Sequence, residues 1–316
     1  MVYKNSIKIF FSNFNLVWKM VLYFLISATI CTGLFLLFLN PIVKLISGAG
    51  FFNQIGEAYA DFLSSLNFAE LIETVAFILR DGFDFFVKNL PSIWWNVLGA
   101  GLVVVFLNTL LLSLSNLAAC KSLHFYIGSL TRQGFFTSFS ESFGKNLKLQ
   151  LTNYFVALPL NILYAYLFML TLGLFGINWI INILAIFIIV IGLVILFAFK
   201  WTLFSTWAPT MIVMNYGVFK SLKVGLKMSF RHFGRVFSNA IGMVLTIFII
   251  NMSFGLFTFG VGLVVSVPIS YLLYNVFGMV VVYEGQGMRY YVDIYNVITP
   301  KKKEISDKLK DMRFVV

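Results

Sequence analysis

The stretch KMSFRHFGRVFSN (residues 227–239) threads three cations and a histidine through large apolar side chains, and residues 240–258 follow without a single charge. Phe219, Leu222, Leu226, Phe230, Phe233 and Phe237 recur here at spacings of 3, 4, 4, 3 and 4, which lines them along one face of a helix. Lys220, Lys223, Lys227 and Arg231 run one position behind, about 100° round the same cylinder. An apolar stripe flanked by a cationic one is the pattern of a helix lying in the plane of a membrane interface. The competing expectation is a cytoplasmic extension of a span, its stripe covered by neighbouring helices. On the interfacial expectation Lys220, Lys223, Lys227, Arg231 and Arg235 contact anionic lipid headgroups, each such cation contributing about 1 kcal/mol of attraction.

The composition supports a membrane setting. Hydrophobic residues make up 60% of the chain and charged residues only 11%, far below the roughly one quarter usual in soluble proteins. Charge-poor runs long enough to cross a hydrocarbon core, which takes about 20 helical residues, occur at 17–39, 93–119, 153–175, 178–205, 240–258 and 261–283. They must be helices, because isolated strands leave backbone groups unpaired in lipid. The third and fourth are joined by a turn near Gly176–Asn178 and the fifth and sixth by the FGVG of 259–262, so each pair reads as a tight hairpin. The first apolar run, Leu16 to Leu39, exceeds the roughly 7–15 residues of a signal peptide's apolar region and is expected to stay as an anchor.

Placing the N-terminus in the cytoplasm puts all but three of the 23 basic residues (Lys44, Arg80 and Lys88) on the inner side, as the positive-inside rule favours. Both termini are then cytoplasmic, in the plasma (inner) membrane of what reads as a bacterial protein. The net charge of +11 lies on that side, beside the spans, with no recognisable nucleic-acid module. Anionic headgroups are therefore the expected partners and nucleic acid is not.

The amphipathic device recurs. SIKIFFSNFNLVWK (6–19) sets Ile7, Phe10, Phe11, Phe14 and Trp18 apart from Lys4, Lys8 and Lys19, and FTSFSESFGKNLKLQLTN (136–153) repeats it with Phe136, Phe139, Phe143 and Leu147. The expected fold is thus an all-α integral membrane protein forming a single polytopic domain over residues 1–316. Its six transmembrane helices make three parallel helical hairpins, an internal repeat in which each pair is preceded by a cytoplasmic amphipathic helix. Residues 41–92 are an extracytoplasmic helical insertion, expected as two amphipathic helices carrying six of the twelve acidic residues. Residues 298–316, ITPKKKEISDKLKDMRFVV, form a basic cytoplasmic tail expected as a short surface helix.

Little of the sequence carries chemistry. No charge sits at the middle of a span, which argues against a proton-coupled pump or voltage sensor. Asn108, Asn116, Asn161, Asn182, Asn251 and Asn275 are the amides at depth, and the first two, eight apart, share a face of an ideal helix. They read either as interhelical hydrogen bonds of about 0.6 kcal/mol each or as the lining of a polar path for an uncharged or zwitterionic solute. Pro159 and Pro268 are expected to break the third and sixth spans at positions that do not correspond, unlike the matched breaks of inverted-repeat transporters. Cys31 and Cys120 lie at different depths and set no disulfide. His124 and His232, with Glu141, Glu284 and Asp293, are the only candidates for an acid–base or metal site, and no HExxH, GxSxG or P-loop accompanies them. No catalytic residue, metal or cofactor is expected.

The run from Phe219 to Glu284 joins a basic, Phe-rich foot to a span and then to GVGLVVSVPISYLLYNVFGMVVVYE, with a Gly-rich turn, a mid-span Pro268 and a closing Tyr283. It resembles bacterial six-span proteins related to the membrane domain of glycerophosphodiester phosphodiesterases. In that family the phosphodiesterase activity belongs to a separate soluble barrel with acidic metal ligands, and no segment here is long or polar enough to be that barrel. The resemblance implies an architecture and supplies no catalytic residues. The expected function is that of a non-enzymatic scaffold or accessory subunit, with a membrane-protein partner or self-association. The alternative is a permease or exporter component for a small uncharged or amphiphilic solute.

Overall fold

An apolar run in lipid finds no water for its N–H and C=O groups, so its backbone bonds must close within the segment. The computed structural model, which describes residues 2–172 and 179–300, meets that demand with helices and one short β-ribbon. In chain order these are α1 (Val2–Ser12), α2 (Asn15–Gly48), α3 (Phe51–Ser65), α4 (Phe68–Gly101), a π-helical stretch (Leu102–Asn108) and α5 (Thr109–Ser113). Then come α6 (Asn116–Ser129), α7 (Phe135–Leu172), α8 (Trp179–Phe204), α9 (Trp207–Val213), α10 (Val218–Arg231), α11 (Phe233–Phe257) and α12 (Leu263–Gly285). The ribbon pairs β1 (Tyr290–Tyr291) with β2 (Val297–Ile298) antiparallel, Tyr290 opposite Ile298. Six helical segments are long and apolar enough to cross a membrane: Asn15–Gly48, Phe68–Ser129, Phe135–Leu170, Ile181–Val213, Phe233–Phe257 and Leu263–Gly285. The chain has the character of a helical multi-pass membrane protein.

The described residues form two compact units. One comprises Leu22–Ser113 and Gln150–Phe197. In it Ile42 of α2 packs with Ile93 and Ala100 of α4, and the Phe38 ring lies so close to Gly99 that a Cβ there would displace it. The chain then folds back through α3, whose Phe51 and Ala58 meet Ile78 of α4, with the Phe51 and Phe85 rings edge-on at 5.4 Å. Leu66, at φ 51°, makes that turn. Asn67 closes it by accepting the Glu70 N–H at 3.3 Å and donating to the Glu70 carboxylate at 3.2 Å, a reciprocal cap on the first turn of α4. Phe106 meets Tyr154 of α7 edge-on at 5.1 Å, and the Tyr164 hydroxyl donates to the Leu196 carbonyl of α8 at 2.7 Å.

Of the described residues, the other unit holds those up to Val21, Leu114–Leu149 and those from Ala198 to Pro300. Here α12 is central: 67% of its most apolar stretch is buried, against 6–22% for the other five spans. It packs against α1, α6, α9 and α11. At Gly278 a Cβ would run into the Ser205 carbonyl, so only glycine lets the α8–α9 junction rest on the α12 backbone. A turn over residues 258–262 joins α11 to α12; Gly260 takes φ 88°, and the Thr258 hydroxyl accepts the Gly262 N–H at 2.6 Å.

Several expectations change. Only α3 is a separate helix within residues 41–92, because α2 continues through Pro41 to Gly48 and α4 runs unbroken from Phe68 through Pro91. Likewise Pro159 and Pro268 lie inside continuous α7 and α12 rather than ending a helix. The cause is common to all four: proline removes one backbone bond, but its fixed φ is already helical. The foot expected before the third span is the first part of α7 with no break, whereas α1 stops at Ser12 and α10 at Arg231. Ile298, the first residue of the expected tail, is in β2; residues 301–316 and the turn near Gly176–Asn178 lie outside the described residues.

Replacing Gly278 by alanine should lower stability by about 2 kcal/mol, the usual scale of overpacking, and bring down the thermal transition of the detergent-solubilised protein. Gly144→Ala, where a Cβ meets nothing within 4 Å, should leave that transition in place or raise it.

Candidate membrane-interface site

The three amphipathic segments share features of construction. On α10 the face turned into the protein is Ser221, Gly225, Met228 and Ser229. Of the apolar stripe on this helix, Phe219 is 73% and Phe230 60% exposed, and Leu222 and Leu226 are half-buried. Lys220, Lys223, Lys227 and Arg231 are exposed as well. At about 100° per residue, small residues, apolar stripe and cations occupy three successive sectors. On α1 the inner face holds Asn5, Ser6, Ile9 and Phe10, the stripe Ile7 and Phe11, the last 67% exposed, and the cations Lys4 and Lys8. The first part of α7 buries Phe135, Ser138, Ser142 and Asn146, exposes Phe136 and Phe143, and carries Lys145 and Lys148 beyond them. The rotational order is the same in all three. Of the 219–237 stripe, Phe219 and Phe230 are exposed, whereas Leu222, Leu226, Phe233 and Phe237 are half-buried, Phe233 lying edge-on to Phe199 of α8 at 6.2 Å.

Each inner face carries polar residues beside apolar ones, and the polar ones meet the end of another helix. A helix that stops leaves its last carbonyls without intrahelical partners. The break at Leu114–Ser115, between α5 and α6, is met by Asn146 of α7, whose side-chain amide donates to the Leu114 carbonyl. The break at Ser205–Thr206, between α8 and α9, is met by α10: Gly225 leaves no room for a side chain against Thr206, and the Thr206 and Ser229 hydroxyls lie 3.3 Å apart. The end of α12 is met by α1, where Asn5 donates to the Tyr290 hydroxyl at 2.7 Å and to Glu284 at 3.5 Å. Buried serines complete their bonding within their own helices, Ser6 to the Val2 carbonyl, Ser142 to that of Ser138 and Ser221 to that of Val218.

Glu284 is the densest polar junction of the unit. It forms an ion pair with Arg235 of α11 and accepts from the Tyr290 hydroxyl at 2.9 Å as well as from Asn5. Burial, with the nearby Glu284 charge, pushes the Tyr290 hydroxyl up from its usual range, so Tyr290 stays a neutral donor. Arg235 therefore differs from the other four cations proposed for lipid: its guanidinium is committed to Glu284, although the side chain is half exposed.

The remaining candidates scatter. His124 Nδ1 and the Tyr283 hydroxyl lie 2.7 Å apart, Glu141 accepts from Lys121 and from Gln133, and Asp293 accepts the N–H groups of Tyr295 and Asn296, each at 2.8 Å. The Asn296 amide, foremost among these bonds, holds the Asp293 carboxyl below its ordinary value. His232 sits at the junction of α10 and α11. Among the described residues no group of three His, Cys, Asp or Glu side chains converges on a metal-sized site.

The six asparagines do not converge either. Asn275 donates to Asn116 at 3.3 Å and accepts from the Cys120 thiol at 3.2 Å. Asn251 donates to Ser270 at 2.8 Å and accepts from Ser266 at 2.7 Å, tying α11 to α12. Asn161 is exposed on α7 and Asn182 is buried in α8. Asn108 closes the π-helical stretch and Asn116 opens α6, so the two do not lie on one continuous α-helix. Cys31 and Cys120 are free and buried.

No protein-family model matches the chain, and comparison with curated proteins and with solved structures finds no match.

Glu284→Ala removes a largely buried acceptor that three donors share and should cost about 1–3 kcal/mol, read as a lower thermal transition of the solubilised protein. Arg235→Ala, which leaves Asn5 and Tyr290 on Glu284, should lower the same transition by less.

Proposed function

We propose that the chain is a non-enzymatic multi-pass membrane protein, a scaffold or accessory subunit held to the anionic inner leaflet of a bacterial plasma membrane by its amphipathic feet. The observation that carries this reading is that α1, the first part of α7 and α10 each turn serine or asparagine side chains toward the protein while exposed Phe side chains and cations face away from it. The one-sided distribution of the basic residues supports cytoplasmic termini, and the like rotational order of the feet supports a threefold internal repeat. A partner surface is available on α3, where Phe52, Ile55, Tyr59 and Leu63 are exposed along one face, with the exposed carboxylates Glu57 and Asp61 on the opposite side of the helix. A contiguous apolar face of this kind is characteristic of interaction sites. Transport of a small solute has weaker support, since Asn116, Asn251 and Asn275 bond to other side chains of the packed helices.

Purification from native membranes in a mild detergent, with molar mass by light scattering, tests the scaffold reading. A defined heteromeric partner or a self-associated species is expected, and Phe52→Ser with Tyr59→Ser should release it. Repeated recovery of a lone monomer would count against the proposal.

A further inference from the structure

The turn after α1, the first turns of α2, the helix α6 and the connection from α6 to α7 enclose a small polar pocket, open on one side. Lys19 and Arg132 both line it, and no carboxylate does. Neither cation forms an ion pair among the described residues; the nearby Glu141 is already engaged by Lys121 and by the Gln133 amide. Leu130, at φ 57°, ends α6 and turns the chain so that Arg132 comes back over that helix. Tyr126, also in the lining, is only 5% exposed, and its hydroxyl has no hydrogen-bond partner among the described residues. Asn15 adds a further amide donor. Two cations and an unpartnered hydroxyl around one opening are the complement of a tetrahedral oxyanion: the Arg fork takes two oxygens, the Lys ammonium supplies a point charge and the hydroxyl donates a third bond. Beside the opening in sequence stand Phe11, Phe14 and Trp18, all exposed. Indole rings prefer the headgroup level of a membrane.

We infer that this pocket binds a phosphate group, as the headgroup phosphodiester of an anionic phospholipid. The inference rests on the interfacial reading of the feet and adds to it a single stoichiometric site, distinct from the diffuse attraction of the α10 cations.

The test uses the full chain in nanodiscs of equal parts phosphatidylglycerol and phosphatidylcholine, with retained lipids counted by native mass spectrometry. The protein should keep one phosphatidylglycerol when challenged with excess phosphatidylcholine. Lys19→Ala with Arg132→Ala should weaken that retention roughly tenfold or more, the scale of losing charge-assisted bonds, and Tyr126→Phe, which preserves shape, should weaken it several-fold at an unchanged thermal transition. If the double variant does not fold, Tyr126→Phe alone decides. Lipid that stays bound against millimolar inorganic phosphate identifies the phospholipid as the source; lipid displaced by it supports the same phosphate chemistry with the free anion as occupant. Retention unaltered in Tyr126→Phe and in the folded double variant, or no retained lipid and no phosphate binding in the parent protein, would overturn the proposal. Lys223→Ala with Lys227→Ala separates the two levels: it should reduce the general preference for anionic lipid while the pocket lipid remains, and an unchanged preference would remove the foot reading without touching the pocket.

Discussion

Helices that end inside a protein present polar groups that something must satisfy or cover, and in the unit built around α12 the amphipathic segments come up against such ends. At Leu114–Ser115 the Asn146 amide of α7 donates to the Leu114 carbonyl, whereas at Ser205–Thr206 and at the end of α12 the contacts of α10 and α1 run between side chains, Ser229 with Thr206 and Asn5 with Tyr290 and Glu284. To approach those ends the segment must turn small or polar residues inward, as in Ser138, Ser142 and Asn146 or Ser221, Gly225 and Ser229. Exposed Phe side chains are left on the outer arc. On the proposed reading lipid replaces water along that arc, and polar contact inside and lipid contact outside are then two consequences of one arrangement.

The same logic explains which parts of the molecule could be read from the sequence. Charge-free runs placed the spans well, because length and apolarity are what a bilayer demands of a helix. The Phe stripes at 219–237 were equally plain, yet the serines four residues apart on the opposite side of the same helices carried the docking, and large aromatics overshadow them in any search for periodicity. Other features had no local signature. The breaks at 114–115 and 205–206 contain neither glycine nor proline, whereas prolines 41, 91, 159 and 268 sit within helices. Nor can spacing pair Arg235 with Glu284, or Asn116 with Asn275, since those contacts depend on how distant helices meet.

Charge is sorted among the elements as well. The cations of α1, α7 and α10 stand next to outward Phe side chains, while α3 and α4 carry exposed carboxylates and only scattered bases. Neutral polar groups of the spans engage one another, in the Asn251–Ser266–Ser270 and Asn116–Asn275–Cys120 sets. Such modest interhelical bonds help to hold neighbouring helices together.

Lipid contact along the outer arc of α10 is the claim on which the account turns. It is tested most directly by spin labels placed singly at positions 219, 230, 223 and 227 of the protein in lipid bilayers, in a background without Cys31 and Cys120, with collision rates measured against oxygen and against a water-soluble nickel chelate. Labels at 219 and 230 should collide chiefly with oxygen, which concentrates in the acyl region, and labels at 223 and 227 chiefly with nickel. Equal, nickel-dominated collision at all four positions would place the helix in water and contradict the account.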